Sequence, residues 1–277
     1  MEKIRRNERM SAMMKILADT PNHIFTLSHF CDMFGAAKST MSEDIDILRD
    51  VVRAFGLGEL ETVTGAAGGV RYRAKVAREA ARAYIEELCA DLSGTERVLP
   101  GGFLYYSDIL SNPVIVRRMG EILATEYYDA APDFVLTMET KGIPVALATA
   151  NALGVPLVIA RRSSKVYEGS AVNINYVSGS SRTIETMSLS RRAVREGQKA
   201  LIVDDFLKGG GTAKGMVDLM SEFSVTVVGM AFVMETAMPE KKRVNGEKSL
   251  MILDISQEEN GAATIRPAAW LREDAKA

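Results

Sequence analysis

Apolar positions in the first 74 residues follow helical spacing in three successive segments. The first segment has apolar residues at i, i+3, i+4 and i+7, namely Met10, Met13, Met14 and Leu17. The second repeats this spacing between Leu27 and Phe34, and the following Gly35 predicts the end of a helix. A third helix is predicted to begin near Thr40, because Thr40-Met41-Ser42-Glu43 has the form of a capping box.

The period of the pattern changes after these three segments. Residues 59–63 and 70–73 alternate between polar and apolar positions as strands do, and the glycine-rich stretch 65–69 joins them. Three short helices followed by a hairpin are the elements of a winged helix-turn-helix domain. We predict that this domain occupies residues 1–74.

Residues 75–277 are predicted to form a second, α/β domain. An apolar strand at Phe134–Met138, a helix from Pro144 to Leu153 and a strand at Leu157–Ala160 make a βαβ unit. Such a unit implies a mainly parallel sheet covered by helices. Further elements are predicted outside this unit: a helix over 75–92, strands at 201–203, 226–230 and 250–253, and a polar excursion or hairpin over 163–190.

Composition excludes several classes of protein. The chain has 277 residues, of which 47% are hydrophobic and 25% charged, values typical of soluble globular proteins of about two domains. No apolar run approaches the ~20 residues that span a bilayer, and no secretory signal opens the chain. Two cysteines and two histidines are too few for a disulfide framework or a typical zinc site. We therefore expect a cytoplasmic protein without a membrane partner, and we assign no metal-ligating residue.

One segment, Leu201 to Thr212, carries the strongest chemical signal. An apolar strand is predicted to end in Asp204 and Asp205, and a glycine-rich turn then opens a helix over 212–223. Glycines let several backbone amides approach one anion, and the start of a helix favours a phosphate. The two carboxylates suit sugar hydroxyls or a nearby magnesium ion. A ribose 5-phosphate fits both halves, whereas the competing interpretation, a helix cap with a solvated neighbour, leaves the glycines unexplained.

This segment resembles the phosphoribosyl pyrophosphate (PRPP) motif of type I phosphoribosyltransferases. The resemblance implies that Asp204 and Asp205 hold the ribose hydroxyls and that the loop after them holds the 5′-phosphate. It also implies a pyrophosphate loop at 139–142, after the first strand of the fold. The candidate effector-binding residues are Asp204, Asp205, Phe206, Lys208, Gly209, Gly210, Gly211, Thr212, Thr140, Lys141, Gly142 and Tyr105, the last as a stacking partner for a base.

A second resemblance covers nearly the whole chain. A winged-helix N-terminus joined to this domain, with Glu168-Gly169-Ser170 and residues 175–181 in the hood segment, is similar to the purine operon repressors of Gram-positive bacteria. The resemblance implies a homodimer that represses purine biosynthesis genes by binding double-stranded DNA at their operators. PRPP would relieve repression by binding a phosphoribosyltransferase-like domain that has no catalytic residues. No cofactor is required; magnesium is a candidate companion of PRPP, and guanine nucleotides are candidate competitors.

The third helix of a winged helix-turn-helix places its first turn in the major groove of DNA. Net charge is −2, so DNA binding requires local basic patches, and residues 1–15 carry a charge of +3. Asp44, Asp46 and Asp50 in the third helix oppose a contact with DNA. The candidate DNA-binding residues are Arg5, Arg6, Lys38, Ser39, Thr40, Ser42, Arg71 and Arg73. The alternative is a three-helix interaction module with ordinary surface charges.

A competing function is an active purine phosphoribosyltransferase with an N-terminal regulatory or nucleic-acid-binding appendage. Many enzymes of the resembling family have Ala-Thr where this chain has Lys208-Gly209. Lys208 cannot accept a proton while it is charged, so the motif offers no evident general base. These residues favour an effector sensor over an enzyme.

Overall fold

A computed structural model describes residues 4–65, 68–99, 103–163, 169–178, 183–254 and 264–272. The chain divides into two compact units, Met1–Ala77 with Asn151–Gly154, and Arg78–Ala150 with Val155–Ala277. Each unit has a hydrophobic core of its own. None of the helices in the described ranges has the length and apolar content of a membrane span.

The first unit contains three helices and a hairpin, as its sequence pattern predicts. The helices are α1 (Arg6–Asp19), α2 (Leu27–Phe34) and α3 (Lys38–Ala54), and the antiparallel strands are β1 (Glu59–Val63) and β2 (Gly69–Arg73). The fully buried core residues of the helices follow the expected spacing, namely Met13, Leu17, Phe30 and Met41. A Cβ at Gly69 would lie 2.0 Å from the carbonyl oxygen of Phe25, so only glycine allows this close backbone approach.

The capping-box prediction for α3 is wrong. The helix begins at Lys38, after an extended Ala37 that makes no side-chain cap hydrogen bond, so Thr40 and Glu43 lie inside the helix. Gly35 ends α2 in the left-handed conformation, with φ of 61°. The chain therefore turns within two residues and enters α3 before the predicted cap.

The second unit is built around a six-stranded sheet in the order β12-β11-β10-β9-β5-β6. Five neighbouring strands are parallel and the edge strand β12 is antiparallel, which confirms the mainly parallel sheet. The elements are α4 (Arg78–Leu92), β3 (Val98–Leu99), β4 (Phe103–Leu104), α5 (Ser107–Ser111), α6 (Pro113–Thr125), β5 (Phe134–Met138), α7 (Ile143–Leu153), β6 (Leu157–Ala160), β7 (Ala171–Val177), β8 (Ile184–Ser190), β9 (Lys199–Leu207), α8 (Gly211–Glu222), β10 (Thr226–Thr236), β11 (Lys248–Asp254), β12 (Thr264–Pro267) and α9 (Ala269–Arg272).

Two predicted boundaries in this unit need correction. Strand β9 does not end at the paired acids but continues beyond them to Leu207, because it pairs with β10 from Phe232↔Asp204 to Glu235↔Leu207. The helix predicted over 75–92 begins at Arg78. Its buried side is Ala81, Ile85, Leu88, Cys89 and Leu92. Within the predicted excursion over 163–190, strands β7 and β8 pair in antiparallel fashion, whereas Glu168 and residues 179–181 of the hood segment lie outside the described residues.

Candidate functional site

A cavity of about 530 Å³ lies at the carboxyl ends of β5 and β9, the edge where parallel sheets commonly bind ligands. The loop after β5, the segment from β9 into α8 and the hairpin β7–β8 form its walls. Ten of the twelve candidate effector residues line it, namely Thr140, Lys141, Asp204, Asp205, Phe206, Lys208, Gly209, Gly210, Gly211 and Thr212. Residues from two distant stretches of sequence thus converge on one site.

Gly142 and Tyr105 are the two candidates that do not line the cavity. Gly142 instead packs against its floor, where a Cβ would lie 1.9 Å from Asp204 Oδ1 and 2.6 Å from Thr137 Oγ1. Tyr105 is 46% exposed and lies away from the cavity. The neighbouring Tyr106 is the tyrosine that reaches the site, since its hydroxyl donates a 2.7 Å hydrogen bond to Asp205 Oδ2.

The paired acids are buried against each other in β9. Asp204 and Asp205 are 7% and 9% exposed, and the Asp205 backbone N–H donates to Asp204 Oδ1 at 3.0 Å. Burial, and next the negative charge of Asp205, raise the pKa of Asp204 well above its ordinary value. The pair therefore favours a state with fewer than two negative charges, which lessens repulsion of a phosphorylated ligand.

Backbone groups of residues 209–212 form one end of the cavity. Gly210 adopts the left-handed conformation with φ of 78° and precedes α8 without a side-chain cap hydrogen bond. The first residues of α8, Gly211 and Thr212, line the cavity and present the positive end of the helix dipole to it. Arg243 braces the loop from behind, since its N–H donates to Gly209 O at 3.1 Å. This geometry suits a phosphate monoester.

The sequence analysis missed part of the hairpin wall. Tyr176 and Glu185 line the cavity, and the tyrosine hydroxyl donates to Glu185 Oε2 at 2.9 Å. Burial, and next the hydrogen bond to Glu185, raise the pKa of Tyr176 to about 12. Arg162, also in the wall, donates its backbone N–H to Glu139 at 2.7 Å and lies 3.5 Å from Glu185. No motif pairs Tyr176 with Glu185; the only signal was their place in the polar hairpin.

The candidate DNA-binding residues of α3 and the N-terminus are accessible. Lys38, Ser39 and Ser42 are exposed in the first turns of α3, and Thr40 is half-buried beside them. Arg5 is exposed immediately before α1. Arg6 is half-exposed and forms ion pairs with Asp44 at 2.7 Å and Glu43 at 2.9 Å.

The candidate arginines of the wing are engaged within the first unit. Arg73 is only 7% exposed, donates to Asn22 Oδ1 at 3.1 Å and lies 3.3 Å from Glu61. Arg71 pairs with the same carboxylate at 2.9 Å, and its hydrogen bond lowers the pKa of Glu61. The structure thus places Arg73 in a buried network rather than on an open surface, and it leaves Arg71 partly accessible.

The acids of α3 do not all face solvent. Asp44 is fully buried and accepts hydrogen bonds from Arg9 at 2.8 and 3.0 Å. This pair joins α1 to α3, which also makes Arg9 a structural residue. Since Arg6 also binds Asp44, one of the three acids that were expected to oppose a contact with DNA is neutralised inside the unit.

Comparisons with known proteins agree with this geometry. Residues 5–74 match the family described as bacterial purine repressor, N-terminal, and residues 106–263 match the phosphoribosyl transferase domain. The second unit shares its fold with adenine phosphoribosyltransferases of Thermoanaerobacter pseudethanolicus (TM-score 0.52, 24% identity, 60% of this chain and 98% of that one) and Saccharomyces cerevisiae (TM-score 0.53, 21% identity, 60% and 97%). The molecule is thus a repressor-type N-terminal domain joined to a domain of phosphoribosyltransferase fold.

Relatives over the full length are more specific. The chain is 41% identical over 273 residues to the probable purine biosynthesis transcriptional regulator PurR of Streptococcus pneumoniae, covering 98% of this chain and 99% of that protein. It is 39% identical over 270 residues to the purine biosynthesis transcriptional repressor PurR of Bacillus subtilis, covering 98% and 95%. The chain belongs to the PurR family of purine biosynthesis transcriptional regulators.

Two further relatives differ in their stated activities. The purine biosynthesis transcriptional activator PurR of Lactococcus lactis is 40% identical over 251 residues, covering 91% of this chain and 93% of that protein. A xanthine phosphoribosyltransferase of Lactococcus lactis is 32% identical over 158 residues, covering 56% of this chain and 80% of the enzyme. The similarity to this phosphoribosyltransferase is thus confined to part of the chain.

Proposed function

We propose that this protein is a DNA-binding transcriptional repressor of purine biosynthesis genes whose second unit binds PRPP as an effector. The observation that carries the proposal is the cavity, in which two buried acids stand beside a glycine loop and a helix N-terminus, within a chain of the PurR family. The loop and helix N-terminus suit the phosphate of a ribose 5-phosphate, and the two acids suit its hydroxyl groups.

In the proposed complex, each part of PRPP meets a chemically matched wall. The 5′-phosphate lies at the amides of Gly209 to Thr212, and the ribose hydroxyls bind Asp204 and Asp205. The pyrophosphate meets the loop 139–142, where Lys141 supplies positive charge. Magnesium accompanies the pyrophosphate as a hard cation with oxygen ligands. Guanine nucleotides compete for the same place, because they also carry ribose and phosphate.

On DNA, the first turn of α3 enters the major groove, and the protein acts as a homodimer with one recognition helix for each half-site. Of the candidate residues in this helix, Lys38, Ser39 and Ser42 are exposed. Arg5, Arg6 and the accessible part of Arg71 contact phosphates, which position the domain without reading sequence. PRPP weakens DNA binding only if it has higher affinity for the conformation that does not bind the operator.

The proposed sensor does not catalyse phosphoribosyl transfer. Lys208 follows the acids where a proton acceptor would be needed, and the relatives that cover the whole chain are regulators. The second candidate, an active purine phosphoribosyltransferase, is favoured by the 32% identity to a xanthine phosphoribosyltransferase. We place the protein in the cytoplasm, where purine genes and PRPP are both accessible.

A DNA-binding titration tests the proposal. The full chain is titrated onto a purine biosynthetic promoter and onto an unrelated fragment at moderate salt, with and without magnesium and PRPP. We expect promoter-selective binding that PRPP weakens. Failure to select the promoter would contradict the regulator, and turnover of PRPP with adenine, guanine, hypoxanthine or xanthine would establish the enzyme instead.

A further inference from the structure

Tyr106 contacts three residues of the cavity wall although it does not line the cavity itself. Its hydroxyl donates to Asp205 Oδ2 at 2.7 Å, and its ring stacks against Phe206 with centroids 6.2 Å apart. The Lys141 ammonium lies 5.1 Å from the centre of the same ring. All three contacted residues line the cavity. Tyr106 therefore supports, from outside the cavity, the paired acids at 204–205 and the loop 139–142.

The hydrogen bond engages only one oxygen of the Asp205 carboxylate. An ionised carboxylate has two oxygens and about four lone-pair positions, so the remaining positions stay available to a ligand. A donor that fixes one oxygen removes rotamer freedom before the ligand arrives, which lowers the entropic cost of binding. Such support is known to matter at binding sites whose direct contacts are held by a surrounding layer of residues.

Tyr106 is itself held firmly. Its carbonyl oxygen accepts from the N–H groups of Ile109 and Leu110 at the start of α5. The preceding residue, Tyr105, donates its N–H to Arg97 O at 2.7 Å, and the Arg97 guanidinium binds both oxygens of Asp108 at 3.0 Å. Burial, and next the charge of Asp205, raise the pKa of the Tyr106 phenol above its ordinary value, so the hydroxyl remains a donor at neutral pH.

We propose that Tyr106 is a positioning residue of the effector site, which orients Asp205 toward a ribose hydroxyl and holds Lys141 beside the pyrophosphate. The inference rests on the proposed function and narrows it to a ligand that carries both a sugar hydroxyl and a pyrophosphate. The hydroxyl of Tyr106 orients Asp205 for the sugar, and its ring holds Lys141 of the charged loop through a cation–π contact.

Two substitutions separate these contributions. Tyr106→Phe removes the hydroxyl and keeps the ring, whereas Tyr106→Leu removes both. Tyr127→Phe is the matched control, because it deletes another buried tyrosine hydroxyl that donates to a backbone oxygen, Met230 O, at 2.9 Å away from the cavity. By calorimetry on the full chain, we expect Tyr106→Phe to weaken PRPP binding about tenfold or more, as loss of a hydrogen bond to a charged group does. The Tyr127→Phe affinity should equal that of the wild type.

Inorganic pyrophosphate provides a readout that a merely structural role would not change, since it lacks the sugar. Tyr106→Phe should bind pyrophosphate as tightly as the wild type, so the ratio of PRPP to pyrophosphate affinity falls about tenfold. Tyr106→Leu should weaken both ligands, because Lys141 loses its aromatic support. In an Asp205→Asn background, Tyr106→Phe should cost much less than in the wild type.

The outcomes distinguish the inference from the function on which it rests. If the wild type does not bind PRPP, the proposed function fails and the inference fails with it. If the wild type binds PRPP and Tyr106→Phe binds it equally well or more tightly, only the inference is overturned. Parallel losses of PRPP and pyrophosphate binding in Tyr106→Phe would also overturn it, since they would indicate a general disturbance of the cavity.

Discussion

Candidate residues were predicted from the sequence both for the cavity at the carboxyl ends of β5 and β9 and for the hairpin β1–β2, the wing, yet the structure arranges the two sets differently. In the cavity, ten candidate residues converge, and most belong to one continuous segment from Asp204 to Thr212. In the wing, Arg71 and Arg73 are separated only by Tyr72, but both bind Glu61, and Arg73 is buried. In a contiguous motif, local backbone geometry fixes the positions of the amides and side chains. The position of a surface arginine instead depends on which carboxylate the fold brings near it.

The largest expected effect is a loss of PRPP affinity at the cavity that leaves DNA binding by the first unit unchanged. Replacing both acids, Asp204→Ala with Asp205→Ala, should reduce PRPP affinity more than about 100-fold, since the hydrogen bonds of both acids to the ribose hydroxyls are lost. Operator binding without PRPP should be unchanged. Calorimetry and a DNA titration measure the two effects, with Asp218→Asn, an exposed acid of α8, as the control. Operator release by PRPP in the double variant would place the effector elsewhere.

The converse substitution should damage the first unit alone. Asp44→Ala leaves Arg9 buried without its carboxylate, a change that costs about 3 kcal/mol or more. We expect faster hydrogen exchange across α1 and α3, measured by mass spectrometry on the full chain, and unchanged PRPP affinity. Asp46→Ala is the control, because Asp46 is an exposed acid of the same helix. Equal exchange in the two variants would show that the buried pair contributes little to stability.

A smaller effect concerns the protonation of the cavity acids. Because the pKa of Asp204 is raised, the folded chain binds this proton more tightly than the unfolded chain, and stability falls as pH rises through the interval between the two pKa values. Asp204→Asn lacks this loss and should therefore be more stable than the wild type at neutral pH, by a margin that grows as pH rises. Trp270, the chain's single tryptophan, reports unfolding of its unit by fluorescence. A stabilisation that stays constant as pH rises above the ordinary pKa of an aspartate would contradict this account.

The smallest effect tests which wing arginine reaches DNA. Arg71→Ala should weaken operator binding and reduce the magnitude of the salt slope by about 0.9, if the side chain contacts one phosphate. Arg73→Ala should instead lower the stability of the first unit, because it opens the network with Asn22 and Glu61. Arg82→Ala, on α4, removes a cation outside that unit as a control. A larger change of salt slope for Arg73 than for Arg71 would reverse the assignment.

Features that depend on neighbouring residues were predicted from the sequence, whereas features that depend on contacts between distant residues were missed. The strands at Phe134–Met138 and Leu157–Ala160 were placed correctly, because continuous apolar runs identify buried parallel strands. The extension of β9 beyond Asp205 to Leu207 was missed, since this extension depends on pairing with β10, a contact between residues distant in the sequence. The link from Arg9 to Asp44 spans 35 residues, and no local pattern signals it.

The choice between Tyr105 and Tyr106 shows the same limit at a finer scale. The two residues are adjacent and chemically identical, so the sequence offers no reason to prefer either. The backbone at the start of α5 decides, because it turns Tyr106 toward Asp205 and leaves Tyr105 at the surface. Motif residues were therefore predictable, whereas the residues that support them required the fold.

The contact between Gly142 and Asp204 has a consequence for the history of this sequence. Even a methyl group at position 142 would overlap the carboxylate at 204, so the two positions cannot drift independently. A lineage that keeps the acid must keep the glycine, and a larger residue at 142 becomes tolerable only after the acid has been replaced by something smaller. Substitutions at these two positions are therefore expected in a fixed order, and a descendant with a side chain at 142 should already have lost the acid at 204.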